Sequence, residues 1–193
     1  MCVCVVYREG VLVPYRDEWP RLFAAEMENL KRVLAPWLSG EIHHVGSTAV
    51  PGLAAKPIID MLAEVKSLKD AWEAREPLAA LGYVYGEHRP EALWFHKPGE
   101  GGWVEQTHAL HLTEPGSDLW RERIAFRDAL RADPQLAAAY ERWKLDHAAN
   151  PTDAAPYTAS KTAFVTSVLA QNGIAVRSDP ERLTAAALAA QTR

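Results

Sequence analysis

The sequence has few cysteines, no long hydrophobic run and no excess of basic residues, and each shortage excludes a class of protein. Cys2 and Cys4 have no second pair of ligands nearby, which favours free thiols over a metal site and predicts a reducing cytoplasm. No apolar run approaches the roughly 20 residues that span a bilayer, and the N-terminus lacks the basic segment of a signal peptide. A net charge of -4 argues against nucleic-acid binding. We therefore expect a cytoplasmic protein that acts on a small molecule, without nucleic-acid or membrane partners.

The composition is that of a globular protein. Of the 193 residues, 48% are hydrophobic and 24% are charged, and this length suits one domain of ordinary size. The patterned part predicts a single domain over residues 11–172. Residues 1–10 are predicted to form an N-terminal strand or a frayed segment, and residues 173–193 a weakly patterned tail.

Hydrophobic spacing predicts a mixed α/β (α+β) fold. The first helix has a stripe formed by Trp19, Phe23, Met27, Leu30 and Leu34, with Asp17 as its expected cap. Five strands and one further helix, capped by Ser67 and interrupted near Pro77, are expected to follow. The C-terminal half reads as three helices. The strands are predicted in these stretches: "EIHHV", "KPIIDMLAEV", "YVYGEH", "ALWFHK" and "WVEQTHALHLTE".

One carboxylate lies in an otherwise apolar stretch. In "HHVGSTAVPGLAAKPIIDM" (residues 43–61) a strand leads into Gly46 and Ser47, and a second strand carries Asp60. A buried charge costs several kcal/mol unless it is paired or ligates a metal. The turn, with the hydroxyls of Ser47 and Thr48, can bind a phosphate, and Asp60 can hold Mg²⁺ against it. A tight turn beside a hydrogen-bonded, purely structural aspartate is the alternative.

Four stretches carry a resemblance to a known family. They are "VLVPYRDEWPRLF", "HHVGSTAVPGLAAKPIIDM", "THALHLTEPGSDLWRERIAFRDALR" and "YTASKTAF". Over residues 11–169 the sequence resembles the GrpB family, a group of small proteins with the nucleotidyltransferase fold. The resemblance implies a mixed β-sheet flanked by helices. It also supports a nucleoside triphosphate as the substrate, with Mg²⁺ or Mn²⁺ as the cofactor.

The second carboxylate of the wider superfamily is missing. That superfamily has Gly-Gly or Gly-Ser, a spacer, and then two carboxylates separated by one apolar residue. Gly46, Ser47 and Asp60 match this pattern, but Leu62 takes the second acidic position. Glu64 faces the same way as Asp60, about 13 Å further along the strand, whereas paired ions lie about 4 Å apart. The site therefore uses one ion, no ion, or further ligands from another strand.

The stretch "VEQTHALHLTE" (residues 104–114) offers such a ligand. His111 shares the polar strand face with Thr107 and Ala109, which makes it a candidate metal ligand or proton carrier. His108 shares the apolar face with Leu110 and is expected to be packed. His44 also fits the family pattern.

Two cations on predicted helices face inward. Lys161 lies on an apolar stripe four residues after Tyr157, and Arg127 shares a face with Ile124. Together they predict an anion pocket that Tyr157 helps to line. The alternative is that their aliphatic stems cover the core while their charged ends reach water. Further rim charges are expected at Lys56, Arg89 and Lys97.

Three hypotheses for function follow from this pattern. The first is a transferase that binds a nucleoside triphosphate at Gly46 and Ser47 and moves a nucleotidyl or phosphoryl group to a small acceptor, with Asp60, His111 and Lys161 at the reacting end. The second is a non-catalytic module that binds a nucleotide or another anionic metabolite. The third is metal-dependent hydrolysis by Asp60, His108 and His111, which the opposite faces of the two histidines oppose.

Overall fold

The computed structural model describes residues 5–7, 10–99, 106–149 and 154–174. Side chains are described in the same ranges except at residues 5–7, 10–11, 88–89, 148–149 and 154–160. Cys2 and Cys4 lie outside the described residues, as does most of the predicted tail. No helix in the described ranges is long and apolar enough to cross a membrane.

The elements alternate in the first half of the chain and are helical in the second. In order they are β1 (Val5–Tyr7), β2 (Gly10–Leu12), α1 (Trp19–Leu34), β3 (Leu38–Val45), β4 (Ile59–Val65), α2 (Leu68–Ala71), α3 (Arg75–Ala80), β5 (Val84–Arg89), β6 (Ala92–Lys97), β7 (His108–Thr113), α4 (Asp118–Ala132), α5 (Pro134–Ala149) and α6 (Ala154–Gln171). Short 3-10 turns cover Ser47–Ala49 and Trp72–Ala74.

Five of the strands form one mixed sheet. Their order is β3-β4-β7-β6-β5, while β1 and β2 pair separately. Strands β4 and β7 are parallel, and the other neighbours in the five-stranded sheet are antiparallel. A five-stranded mixed sheet with helices around it and a helical C-terminal half confirms the predicted fold class.

The two faces of the sheet bury different sets of residues. The main core lies on the α1 side, where Leu30 and Leu34 pack with the odd-numbered residues of β4, such as Met61. On the other face Leu62 packs with Leu119 of α4. Because side chains alternate along a strand, Asp60 lies on the α4 side with Leu62. The candidate site is therefore bounded by the C-terminal helices.

Several local predictions can be compared with the observed elements. Ser67 caps α2 by accepting from the backbone N–H of Asp70, as expected. The helical segment then breaks into α2, a 3-10 turn and α3, because Pro77 cannot bond to the carbonyl of Glu73, four residues earlier. The prediction for Asp17 is wrong. The chain enters α1 through a turn closed by the Trp19 N–H donating to Arg16 O, and the cap residue, Glu18, makes no capping bond.

Candidate functional site

The turn after β3 brings the backbone against Asp60. Val45, the last residue of β3, pairs with Asp60 on β4. Gly46 follows with φ 73°, a conformation that glycine adopts far more readily than other residues. A Cβ added to Gly46 would overlap Asp60 Oδ2 and lie 2.9 Å from Asp60 Cγ. Glycine is therefore required at position 46 for two reasons: the backbone conformation there and the closeness of the Asp60 carboxylate.

Three cations from three different segments act on Asp60 electrostatically. Burial raises the pKa of this carboxyl, while Arg123 on α4, Lys161 on α6 and Lys56 before β4 each act to lower it. Asp60 is half-buried, so it lies in the wall of the site and is not sealed in the core. Three cations therefore act on one carboxylate, an arrangement that is compatible with an anionic ligand beside it.

Ser47 is in contact with two buried side chains of α5. Lys144 Nζ donates to Ser47 Oγ at 3.4 Å and also donates to the carbonyl of Ala54. Tyr140 makes a side-chain hydrogen bond with Ser47, and burial raises the pKa of this phenol to about 12. Tyr140 and Lys144 are 3% and 5% exposed. The hydroxyl of Ser47 thus connects the turn after β3 to helix α5.

The hydroxyl of Thr48 is engaged in structural hydrogen bonds. Its Oγ1 donates to Ile58 O at 3.0 Å and lies 3.0 Å from His44 Nε2. Thr48 is also 1% exposed. This network ties the turn to the start of β4, so the hydroxyl of Thr48 is engaged on the α1 side, whereas the hydroxyl of Ser47 meets Tyr140 and Lys144 of α5.

The two cations predicted to line an anion pocket, Lys161 and Arg127, lie in different parts of the structure. Lys161 is close enough to Asp60 to influence its pKa, so the two lie together as expected. Arg127 instead donates to His44 O at 3.1 Å and to Asp128 Oδ1 at 2.7 Å, which braces the end of β3. The side chain of Tyr157 lies outside the described part of α6.

The predicted rim charges with described side chains, Lys56 and Lys97, also lie in different parts of the structure. Lys56 faces Asp60. Lys97 lies on the α1 side of the sheet, where its Nζ donates a hydrogen bond to Glu26 Oε1 at 2.7 Å. The side chain of Arg89 is outside the described residues.

The two histidines of β7 lie on opposite faces, as the strand pattern predicts. His111 is buried beside Leu62 on the Asp60 side. From the register it is one strand across and two residues along from Asp60, about 8 Å between Cα atoms. His108 faces Glu26 and Lys97 on the other side. Within the described ranges no three His, Cys, Asp or Glu residues lie close enough to hold a metal, so a metal here would have at most two such ligands and would depend on the oxygens of the bound ligand for the rest.

The position of the second carboxylate is part of a hydrophobic contact. Leu62 is 0% exposed and packs with Val45, Ala92 and Leu119 under α4. Glu64 accepts hydrogen bonds at 2.7 Å from His43 and at 2.8 Å from the Trp120 indole. These partners hold the pKa of Glu64 below its usual value against the effect of burial. Neither position supplies a second metal ligand beside Asp60.

A separate groove of about 460 Å³ lies between the turn after β3 and helices α4 and α5. Its lining includes Leu53, Leu130 and Ala137, with the charged residues Arg131 and Glu141. Both charges are engaged, since Arg131 donates to Ala49 O and Glu141 accepts from the Ala54 N–H. The groove does not include Asp60.

Three residues at the site were not predicted from the sequence: Arg123, Tyr140 and Lys144. Arg123 precedes Arg127 by four residues on α4, and Lys144 follows Tyr140 by four on α5. The signal that could have revealed them is this i, i+4 spacing, which places both members of a pair on one helix face. Which face turns toward Asp60 is set by the packing of the C-terminal helices.

His44 gives the site a pH-dependent stability. Its ring stacks on Phe23 with centroids 4.8 Å apart, and burial, with Arg131 and Arg127 nearby, lowers its pKa to about 4. The unfolded chain therefore binds a proton that the folded chain does not, and stability falls as the pH drops from 6.5 toward 4. We expect His44 to contribute about 3 kcal/mol to this loss, since a tenfold change in proton affinity corresponds to about 1.4 kcal/mol.

Denaturant unfolding across this pH range checks the expectation. His44→Phe keeps the stacking on Phe23 and removes the titrating group, so its stability curve should be flatter than that of the wild type. Equal slopes for the two proteins would contradict the assignment.

The architecture and the site together define a mixed α/β protein in which a half-buried aspartate, next to a glycine-serine turn, is influenced by three cations. The GrpB protein family model matches residues 10–171. The chain therefore belongs to the GrpB family, which confirms the resemblance seen in the sequence.

Two relatives and two solved structures are among its matches. UPF0157 protein YqkA of Bacillus subtilis is 38% identical over 148 residues, 76% of this chain but only 42% of YqkA. Glutamate-rich protein GrpB of Alkalihalophilus pseudofirmus is 37% identical over 166 residues, 83% of this chain and 94% of that protein.

The crystal structure of GrpB from Enterococcus faecalis covers 83% of this chain and 95% of its own, with a TM-score of 0.72 and 29% identity. The poly(U) polymerase Cid1 covers 64% of this chain and 40% of its own, with a TM-score of 0.46 and 13% identity, too low to carry an argument about function.

Proposed function

We propose that the protein binds a nucleoside triphosphate at the turn after β3 and transfers a nucleotidyl or phosphoryl group to a small-molecule acceptor. Asp60 would hold a divalent metal against the phosphates. Lys161 and Arg123 would face the developing negative charge, and Gly46 and Ser47 would contact the phosphates.

The observation that carries this proposal is the convergence of cations from three separate segments on one acid. Arg123, Lys161 and Lys56 all act on the half-buried carboxylate of Asp60, which lies against the turn that carries Gly46 and Ser47. A structural ion pair needs one cation for each acid, whereas a site for a polyphosphate needs several, because a triphosphate carries about four negative charges near neutral pH. The charge balance therefore favours a polyphosphate over a neutral ligand.

The residues present are compatible with one Mg²⁺ or Mn²⁺ ion. Mg²⁺ is commonly bound through one or two carboxylates together with substrate phosphates and water, and Asp60 supplies one such carboxylate. A bound ion would neutralise charge on the phosphates and help to orient them. His111 lies on the same sheet face and would serve as a second ligand or as a proton carrier.

A second candidate is a module that binds a nucleotide or another anionic metabolite without turnover. The observation that favours it is Leu62, which fills the second acidic position and is buried under α4. Two-metal transfer requires ligands for both ions, and Asp60 alone cannot supply them. Binding through the cations would persist in such a module.

Thermal unfolding with ATP, GTP, CTP and UTP, with and without Mg²⁺, distinguishes the candidates. For the transferase we expect at least one nucleotide to raise the unfolding temperature of the wild type in a Mg²⁺-dependent manner. Asp60→Asn should lose the metal-dependent part, because a neutral amide binds Mg²⁺ far more weakly than a carboxylate does. Asp17→Asn, which alters an exposed aspartate at the start of α1, is the matched control and should respond like the wild type.

The other outcomes are equally informative. Stabilisation of both the wild type and Asp60→Asn without metal would favour the binding module. No response to any nucleotide, with inorganic triphosphate also failing to bind in calorimetry, would contradict both candidates.

A further inference from the structure

Ser47 combines three features of an activated hydroxyl. It follows Gly46, whose positive φ turns the chain sharply at the end of β3. Its side chain is hydrogen-bonded to Tyr140 and lies 3.4 Å from Lys144 Nζ. It also lies one residue beyond the glycine that contacts Asp60. A hydroxyl within reach of an amine that can accept its proton is the usual arrangement of a serine nucleophile.

The environment of Lys144 makes its neutral form more accessible than that of a solvated lysine. Burial lowers the pKa of this amine to about 8, with Lys161 of α6 acting in the same direction and Glu141 of α5 opposing them. Two contacts act in the opposite direction, since Nζ donates to the Ala54 carbonyl and lies 4.9 Å from the centroid of the Tyr140 ring. A solvated lysine is almost fully protonated below pH 9, whereas a substantial fraction of Lys144 is neutral near pH 8. Lys144 can therefore act as a base under mild conditions.

We propose that Ser47 is a nucleophile that accepts the terminal phosphoryl group of the bound triphosphate, with Lys144 taking the proton of its hydroxyl. This inference rests on the proposed function and specifies it further: transfer passes through a phosphoserine on this chain. The base in this reaction is a lysine, so the reaction does not need the second carboxylate that Leu62 replaces.

The step balances without a further reactant. Ser47 Oγ forms a bond to the terminal phosphorus, and the bond from that phosphorus to the bridging oxygen breaks. The nucleoside diphosphate leaves with the bonding pair, and the hydroxyl proton passes to neutral Lys144. Tyr140 positions Ser47 Oγ through its hydrogen bond. In a second step the acceptor attacks the phosphoserine and restores the free hydroxyl.

Burial indicates which end of the triphosphate reaches Ser47. Tyr140 and Lys144 are 3% and 5% exposed, so the Ser47 hydroxyl is held against the buried side of α5. A nucleoside is far bulkier than a phosphate and would remain toward solvent. The terminal phosphorus is therefore the phosphorus that Ser47 meets.

Radiolabelling tests the inference on the wild-type chain. The protein is incubated with Mg²⁺ and ATP labelled on the γ- or the α-phosphate, without acceptor, then quenched, and the label is located by peptide mass spectrometry. We expect γ-label on Ser47 and no α-label. The labelling rate should rise with pH through about 8, as Lys144 loses its proton. Ser47→Ala should abolish labelling, while Ser167→Ala, at an exposed serine of α6, should label normally.

Lys144→Arg tests the base separately from the charge. An arginine keeps the cation but cannot be deprotonated, so labelling should fall about 100-fold or more and should no longer rise through pH 8. Lys144→Met, of similar length and apolar, guards against misfolding of the arginine variant and should lose labelling equally. Unchanged labelling in a folded Lys144 variant would overturn the role of the lysine.

ATP binding is measured by calorimetry on the same samples. ATP binding without γ-label on Ser47, or with α-label there, would overturn the phosphoserine while leaving the proposed site in place. Absence of ATP binding would overturn the proposed function and the phosphoserine together.

Discussion

Gly46→Ala is expected to destabilise the protein and abolish ligand binding together. The backbone at Gly46 has φ 73° and ψ -172°, a region that costs a residue with a side chain about 1–3 kcal/mol. The new Cβ would also overlap Asp60 Oδ2, so either the carboxylate or the turn must move. We expect a loss of about 3 kcal/mol or more in the free energy of unfolding, measured by chemical denaturation. The nucleotide-induced thermal shift should disappear.

An Asp60→Ala background separates the two causes. Removing the carboxylate removes the overlap with the new Cβ and leaves the backbone cost at Gly46, so the Gly46→Ala penalty should shrink in that background. Gly52→Ala is the control: Gly52 has φ 79°, but a Cβ there meets no atom within 4 Å, so its penalty should be the same with and without Asp60. An equal Gly46→Ala loss in both backgrounds would show that the contact with Asp60 has no energetic weight.

Leu62→Asp, which restores the acidic pattern of the superfamily, is expected to destabilise the protein without creating activity. Leu62 is 0% exposed and packs with Val45, Ala92 and Leu119. Truncating such a leucine costs about 2–5 kcal/mol, and an unpaired buried carboxylate adds several more. We expect a loss of about 4 kcal/mol or more in the free energy of unfolding, or a chain that does not fold.

Leu62→Met is the matched control, since it conserves volume and should cost less than about 1.5 kcal/mol. Denaturant unfolding of both variants gives the comparison. A folded Leu62→Asp protein with Mg²⁺-dependent nucleotide turnover above that of the wild type would contradict the assignment. It would mean that the position opens toward the site and that α4 does not seal it.

Asp60 and Leu62 have different roles although they share a strand face. Asp60 lies near the start of β4, where Gly46 of the turn after β3 packs against it, and the cations of α4 and α6 act on it. Leu62 lies two residues further, where Leu119 of α4 covers the sheet. The geometry therefore supports chemistry at one acid, and the proposed phosphoserine supplies a route for group transfer that needs no second one.

Local patterns accounted for most of the fold. The apolar stripe of α1, the serine cap of α2, and the alternation along β4 and β7 each depend on residues close together in the chain. The family resemblance added the mixed sheet, whose strand order no local pattern contains. The error at Asp17 concerned a helix end, where a backbone turn satisfied the first N–H groups in place of a side chain.

The sequence by itself identified the acid, the glycine-serine turn and the inward-facing lysine, because a carboxylate among apolar residues and a cation on an apolar stripe are costly unless they serve a purpose. It also showed that Leu62 replaces an acid. Only the tertiary structure decided that Arg123 acts on Asp60 while Arg127 braces β3, and that Tyr140 and Lys144 meet at Ser47. The reason is that these contacts join α4 and α5 to a turn some 80 to 100 residues earlier. Such contacts depend on how the helices pack against the sheet, which no local spacing encodes.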